Sequence, residues 1–212
     1  MTPFCTITPT RGDRHELLEF CKHQLSRMTL KPDKSYFIDH PPANSKVDLV
    51  ERVRIGVNEA KADGFQYAFI VEDDDFYPSD YFERFDIGTF VFYGDQSSTY
   101  YHLKHRTYTT FKHSGRSSLF TTGFKISELD KFDWDAQNKF LDIGLWNYAY
   151  SQVQGIRQYA HSGAIGIKHG LGLCAGKGHV MKGENDDAYL KWLKENVDSE
   201  AFQFYTDLMK KL

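Results

Sequence analysis

The chain has 212 residues, 41% hydrophobic and 26% charged, which excludes disordered and fibrous classes and allows one substantial core. Its 26 Lys and Arg are interleaved with 29 Asp and Glu for a formal net charge of −3, so no basic stripe argues for a nucleic-acid partner. Three cysteines, Cys5, Cys21 and Cys174, without CxxC spacing fit reduced thiols in the cytoplasm. No apolar run approaches the roughly 20 residues of a membrane span, and Met1 is followed by a strand pattern instead of a signal peptide.

Phe4-Cys5-Thr6-Ile7-Thr8 reads as a first strand stopped by Pro9. Asp13 then caps a helix whose apolar positions Leu17, Leu18, Cys21, Leu25 and Met28 recur at helical spacing. Ser35-Tyr36-Phe37-Ile38-Asp39 is a second strand ending in an acid, before the extended turn His40-Pro41-Pro42. A second helix carries the stripe Val50, Val53, Val57 and Ala60 and stops at Gly64. Tyr67-Ala68-Phe69-Ile70-Val71 is the third strand. This βα alternation predicts a parallel sheet with ligand chemistry at its carboxyl edge.

Further on, 89–93, 99–103, 107–112 and 118–124 are short Tyr-, Phe- and Thr-rich runs that suit antiparallel or mixed strands. A helix over 140–150, a strand over 164–168, a glycine-rich loop over 170–178 and a helical region over 187–212 complete the chain. A composition shift near Gly88 divides one domain, 1–212, into halves of about 1–87 and 88–212.

The third strand runs straight into Glu72-Asp73-Asp74-Asp75. Four carboxylates this close repel one another unless solvent, a metal or a basic partner neutralises them. A solvated acidic turn is one reading. An ion site is the other, and the buried strand in front favours it, because ligand sites in α/β sheets lie at strand carboxyl ends. Asp73 and Asp75 are spaced to reach one Mg²⁺ or Mn²⁺ that also holds a diphosphate. His169, after the last strand, is either a third ligand or a packed histidine, and His179 competes for that role. Lys177 either reaches a diphosphate as the glycine-rich loop closes or is a surface lysine. Arg54 falls near the second helix's buried stripe, where a guanidinium needs a partner, whereas Arg52 points elsewhere as a solvated charge. Arg116, Ser117 and Ser118 line a donor pocket or form a polar turn.

Thr6-Ile7-Thr8-Pro9-Thr10-Arg11, Asp39, and the acidic run followed by Tyr77-Pro78-Ser79-Asp80-Tyr81 together resemble the nucleotide-sugar half of a GT-A fold, family 2-like glycosyltransferase. Phe140-Leu141-Asp142-Ile143-Gly144-Leu145-Trp146 is similar to the acidic motif that supplies that family's catalytic or acceptor-site carboxylate. As a whole the chain also resembles the compact chlorella-virus-encoded glycosyltransferases of capsid glycan synthesis. The resemblance implies an α/β, Rossmann-like single domain with a central mixed sheet flanked by helices. It implies transfer of a hexose or deoxyhexose from a UDP-sugar to a hydroxyl of a glycan or glycoprotein, with Mn²⁺ or Mg²⁺. For a viral protein the site of action would be the host cytoplasm.

Carried residue by residue, it places Thr8, Thr10, Arg11, Asp39, Arg54, Asp73, Asp74 and Lys177 at the donor. Asp73, Asp75 and His169 fall at the metal and Asp142 at the acceptor as the catalytic group. Asp39 reads uracil in this scheme, or is a turn-forming acid; Asp142 acts on the acceptor, or caps a helix. The family's arginine-asparagine pair is missing from the second helix. A sugar nucleotidyltransferase would open with a glycine-rich phosphate loop, and 8–12 holds one glycine. A catalytically silent carbohydrate-binding domain is the reading from another class.

Overall fold

A computed structural model describes residues 2–39, 47–137, 140–170 and 182–212. The first half alternates β1 (Phe4–Pro9), α1 (His15–Ser26), β2 (Lys34–Ile38), α2 (Asp48–Ala62) and β3 (Tyr67–Ile70). β1 lies between β2 and β3, parallel to both. The period of two along a strand sorts side chains onto two faces. Cys5, Ile7, Ala68 and Ile70 pack with Val50, Val53, Val57 and Ala60 of α2. Phe4, Tyr67, Phe69 and Val71 pack with Cys21 and Leu25 of α1 on the other face. Gly56 lets α2 approach β1 closely, since a Cβ there would collide with the Ile7 side chain. Gly64, at φ +83° just past α2, ends that helix as the sequence predicts. Asp13, however, makes no helix cap and ion-pairs with Arg11 at 2.7 Å.

The second half contributes β4 (Phe92–Asp95), β5 (Ser97–His102), β6 (Thr107–Lys112), β7 (Gly123–Lys125), α3 (Leu141–Gln152), β8 (Ile156–Tyr159), β9 (Ile165–Lys168), β10 (Glu184–Asn185), α4 (Lys191–Asn196) and α5 (Ser199–Met209). The central sheet has the order β2-β1-β3-β7-β4-β8, and β7 runs antiparallel to both neighbours. A smaller sheet, β10-β6-β5-β9, pairs β5 and β9 in parallel. The fold is therefore mixed α/β, with a central mixed sheet flanked by helices.

Three features depart from the sequence pattern. The strand expected over 89–93 begins at Phe92, and the run 118–124 is a 3₁₀ turn, Leu119–Thr121, before a three-residue strand. The turn forms because the hydroxyls of Thr121 and Thr122 donate back to the Ser118 carbonyl, at 3.2 and 2.8 Å, in competition with strand pairing. β8, Ile-Arg-Gln-Tyr, lacks alternation because it is a half-exposed sheet edge.

α4 and α5 close a further core. Leu193, Ala201, Tyr205 and Leu208 meet Tyr101 and Ile167 of the smaller sheet and Leu17 and Phe20 of α1. The two sheets are stitched together by reciprocal backbone hydrogen bonds between Phe76 and Ile165, each 2.9 Å.

One buried carboxylate gives a stability prediction. Asp95, at the end of β4, accepts through Oδ2 from the Ser162 N–H at 2.9 Å and from the Ser162 hydroxyl. Burial pushes its pKa up to about 6, against those two hydrogen bonds and the Arg84 charge. A carboxyl raised from an unfolded value near 3.9 supports the fold fully below that pH, and the support is lost as pH rises through about 6. Asp95→Asn keeps an acceptor for Ser162 without the charge. We expect it to raise the unfolding midpoint at pH 8 but not at pH 4, a difference of order 1–3 kcal/mol. Equal shifts at both pH values would refute the argument.

Candidate functional site

Parallel β2, β1 and β3, antiparallel β7, and β4 running back along β7 bring one edge of the central sheet together. Asp39 follows β2 on it, Thr10 follows β1, residues 72–75 follow β3, 118–122 precede β7, and Asp95 ends β4. The local order β2-β1-β3 puts the topological switch between β1 and β3, where open α/β sheets form their ligand crevice.

The acidic loop at this switch is held from three sides. From β1 and the start of α1, the Thr10 hydroxyl donates to Asp73 Oδ2, and the Arg14 guanidinium lies 2.7 Å from Asp73 Oδ1 and 3.3 Å from Asp74 Oδ2. From within α1, Gln24 donates to the Asp75 carbonyl and accepts from the Tyr77 N–H, both at 3.0 Å. From β9, the Ile167 N–H donates to Asp75 Oδ1 at 2.7 Å, and His169 Nε2 lies 3.0 Å from Asp74 Oδ2. The Glu72 N–H donates to the Tyr77 hydroxyl at 2.9 Å, which in turn donates to the Phe120 carbonyl at 3.3 Å.

This arrangement separates the four acids into two groups. Carboxylate oxygens of Glu72, Asp74 and Asp75 lie within 4.8 Å of one another, while Asp73 is engaged by Thr10 and Arg14. Asp75 is fully buried, and its Oδ2 meets no hydrogen-bond donor among the described residues. An orphaned carboxylate oxygen beside two further carboxylates is a donor set suited to a hard cation. Of the expected ligands Asp73, Asp75 and His169, Asp75 is among the three carboxylates that converge. Glu72 joins Asp74 and Asp75, and His169 touches the cluster through Asp74.

The electrostatics follow from burial and spacing. Burial, then the neighbouring Asp74, push the Asp73 carboxyl up to about 7, against Arg14 and Thr10. Burial raises Glu72, and raises Asp75 well above the carboxylate range. Asp74 is also desolvated, yet the hydrogen bond from His169 and the charges of Lys168 and Arg14 hold it below the ordinary range. Lys168, like Arg14, is a cation of the site that the sequence pattern did not single out. Burial disfavours its charge, but Asp75, Asp74 and Glu72 outweigh this and raise its pKa. Fully ionised, the four carboxyls would outnumber the two cations Arg14 and Lys168; burial instead favours the protonated forms of Glu72, Asp73 and Asp75, whose protons a bound divalent ion would displace.

The remaining sequence candidates lie outside the acidic cluster. Thr8 is buried in β1 beside Cys21, and Arg11 pairs with Asp13. Asp39 is exposed at the end of β2. Arg54, half-buried, pairs with Glu51 at 2.7 Å and Asp135 at 3.1 Å. The buried arginine of α2 is Arg52, 1% exposed, which corrects its reading as a solvated charge. It ion-pairs with Asp48 at 2.9 Å and donates to the carbonyls of Thr10 and Ile38, at 2.7 and 3.0 Å, tying together the ends of β1 and β2. Lys177 and His179 lie outside the described residues.

Asp142 sits in the first turn of α3, ion-paired with Arg116, and burial raises its carboxyl despite that partner. The Ser117 hydroxyl donates to the Asp95 carbonyl at 2.6 Å, and Ser118 Oγ lies 2.5 Å from the Tyr100 hydroxyl. Both serines are therefore on the functional edge. Among the described residues, no helix is long and apolar enough to cross a membrane.

No family model and no curated protein matches the chain. Among solved structures, it is similar at 9% identity to a glycosyltransferase involved in the glycosylation of the major capsid of PBCV-1. That match has a TM-score of 0.45 and covers 84% of this chain and 90% of the other.

Proposed function

We propose that this protein is a divalent-cation-dependent glycosyltransferase that moves a hexose or deoxyhexose from a UDP-sugar to a hydroxyl of a glycan or glycoprotein. The observation that carries the reading is the meeting of Glu72, Asp74 and Asp75, with the orphaned Asp75 oxygen, at the β1/β3 switch point. Held there by these three carboxylates, Mn²⁺ or Mg²⁺ would neutralise the charge that develops as the diphosphate leaves.

The chain's own groups divide the remaining work. Asp73, fixed by Thr10 and Arg14, faces the nucleoside together with Asp39 and Arg11 on the same edge. Arg14 and Lys168 add positive charge at the departing diphosphate. Asp142, steadied by Arg116, takes or orients the acceptor's hydroxyl proton. Lys177 remains a candidate second contact to the diphosphate.

The reading predicts that UDP raises the unfolding temperature only when Mn²⁺ or Mg²⁺ is present, because the ion joins carboxylates to diphosphate. Equal protection by UDP in EDTA would sink it. In the same assay Asp142→Ala should keep metal-dependent UDP protection while transfer falls on the order of 100-fold. Undiminished transfer would remove Asp142 from the mechanism. A carbohydrate-binding domain without catalysis would give no Mn²⁺-dependent consumption of any nucleotide sugar.

A further inference from the structure

The three carboxylates that converge on one point already have a cation in their field. β9 approaches the acidic loop end-on. Its Ile167 N–H is bound to Asp75 Oδ1, and His169 is in contact with Asp74. Lys168 stands between them. Its ammonium lies 5.3 Å from the centroid of the Tyr100 ring, and that ring is fixed by its hydroxyl, 2.5 Å from Ser118 Oγ. The strand pairing of β5 with β9 sets this register, with His102 opposite Lys168 and Tyr100 opposite Gly166. Tyr100 itself lies in the field of Asp75 and Glu72 as well as of Lys168, so ring, ammonium and carboxylates form one neighbourhood. The acids that most strongly hold the Lys168 proton are Asp75, Asp74 and Glu72, the same three that converge. Lys168 acts on them through its charge across a gap, whereas Arg14 contacts Asp73 and Asp74 directly.

We propose that Lys168 is a resident counter-ion of the metal site that makes cation and nucleotide binding depend on each other. The inference rests on the proposed metal- and nucleotide-dependent function. Without nucleotide, an ammonium and a divalent ion share the same three carboxylates and repel, so the ion binds weakly. When a diphosphate arrives its negative charge faces both cations, and the repulsion between them is offset. Each ligand then improves the other's affinity by the same factor, as linkage requires. Lys168 is a positioning residue here: it acts on the ion and the diphosphate through charge, and it takes no part in bond making.

The test is Mn²⁺ binding by calorimetry, with and without UDP, for the wild-type protein, Lys168→Met and Lys168→Arg. The expected result is that Lys168→Met binds Mn²⁺ alone at least about tenfold more tightly than wild type, since it removes a like charge from the field of the same three carboxylates. The tightening of Mn²⁺ binding by UDP should shrink by about the same factor, and Lys168→Arg should behave as wild type. A lysine with only a structural role would give the opposite sign, with Mn²⁺ binding weakened in Lys168→Met.

Unchanged or weaker Mn²⁺ binding by Lys168→Met, beside a wild type that binds Mn²⁺ and UDP together, overturns the proposal and leaves the functional reading standing. Failure of every variant to bind Mn²⁺ overturns both. If Lys168→Met is too unstable for calorimetry, the rise in unfolding temperature produced by Mn²⁺ alone decides the matter. A rise larger than in wild type supports the counter-ion role, and an equal or smaller one overturns it.

Discussion

Asp74→Asn should abolish Mn²⁺ binding and metal-dependent UDP protection while leaving the fold intact. Asp74 is the member of the acidic run held in its ionised form by His169, Lys168 and Arg14, and its oxygens meet those of Glu72 and Asp75. It is also the informative position to change. Asp75 anchors β9 through the Ile167 N–H, so altering Asp75 would confound ligand loss with separation of the two sheets. Asn at 74 keeps an acceptor and a polar group for His169 and removes the charge. Loss of a direct ligand should exceed the roughly 10–100-fold typical of outer-shell partners. Calorimetry with Mn²⁺, beside a urea midpoint to confirm folding, checks it. Mn²⁺ affinity within about threefold of wild type, a difference well short of that range, would mean the cation, if any, is held elsewhere.

Arg52→Met should cost about 3–5 kcal/mol of stability, the usual penalty for breaking a buried ion pair by removing one partner. The side chain is 1% exposed, and its partner Asp48 is 7% exposed and would be left charged without it. The carbonyls of Thr10 and Ile38 would each lose a donor at the same time. Replacing both members, Arg52→Met with Asp48→Leu, removes the buried carboxylate together with the guanidinium and should recover part of the loss. Urea unfolding of the single and double variants measures this. A wild-type midpoint for the single variant would contradict the burial argument. Because Thr10 also donates to Asp73, the same change should loosen the edge that carries the acidic loop even under conditions where the protein stays folded.

Much of the first half could be read from sequence because its signals are local. The stripe Val50, Val53, Val57 and Ala60 is buried as its helical period selects, and the strands β1 and β3 are buried on both faces, as strands of a parallel sheet between helices are. The carboxyl-edge argument likewise located the acidic loop, since it needs only a strand and the residues next in the chain. Three things were not legible. Asp73, Asp74 and Asp75 are consecutive in sequence, and which acids converge depends on turn geometry that no spacing rule reveals. Arg52 and Arg54 both flank the buried stripe of α2, and only the tertiary position of the β1 and β2 ends decides that Arg52 is taken inward. Arg14 and Lys168 joined the site through interactions with acids far away in the chain, 60 positions between Arg14 and Asp74. A signal for Lys168 did exist, as a cation ending a strand directly before His169.

The Ile167-to-Asp75 hydrogen bond, between residues 92 positions apart, bears on how the protein assembles. Closing so long a loop is entropically expensive, and contacts of this separation tend to form late. The βα units at the front of the chain can pair among themselves first, presenting an acidic loop with neither Lys168 nor His169 beside it. Until β9 docks, mutual repulsion of the carboxylates would oppose order in that loop. The strand β9 must then dock across the chain to quench it. Cation binding should accordingly report the completed molecule and not nucleate it. A divalent ion would act as a latch on the last long-range closure, slowing its reopening more than it speeds its formation.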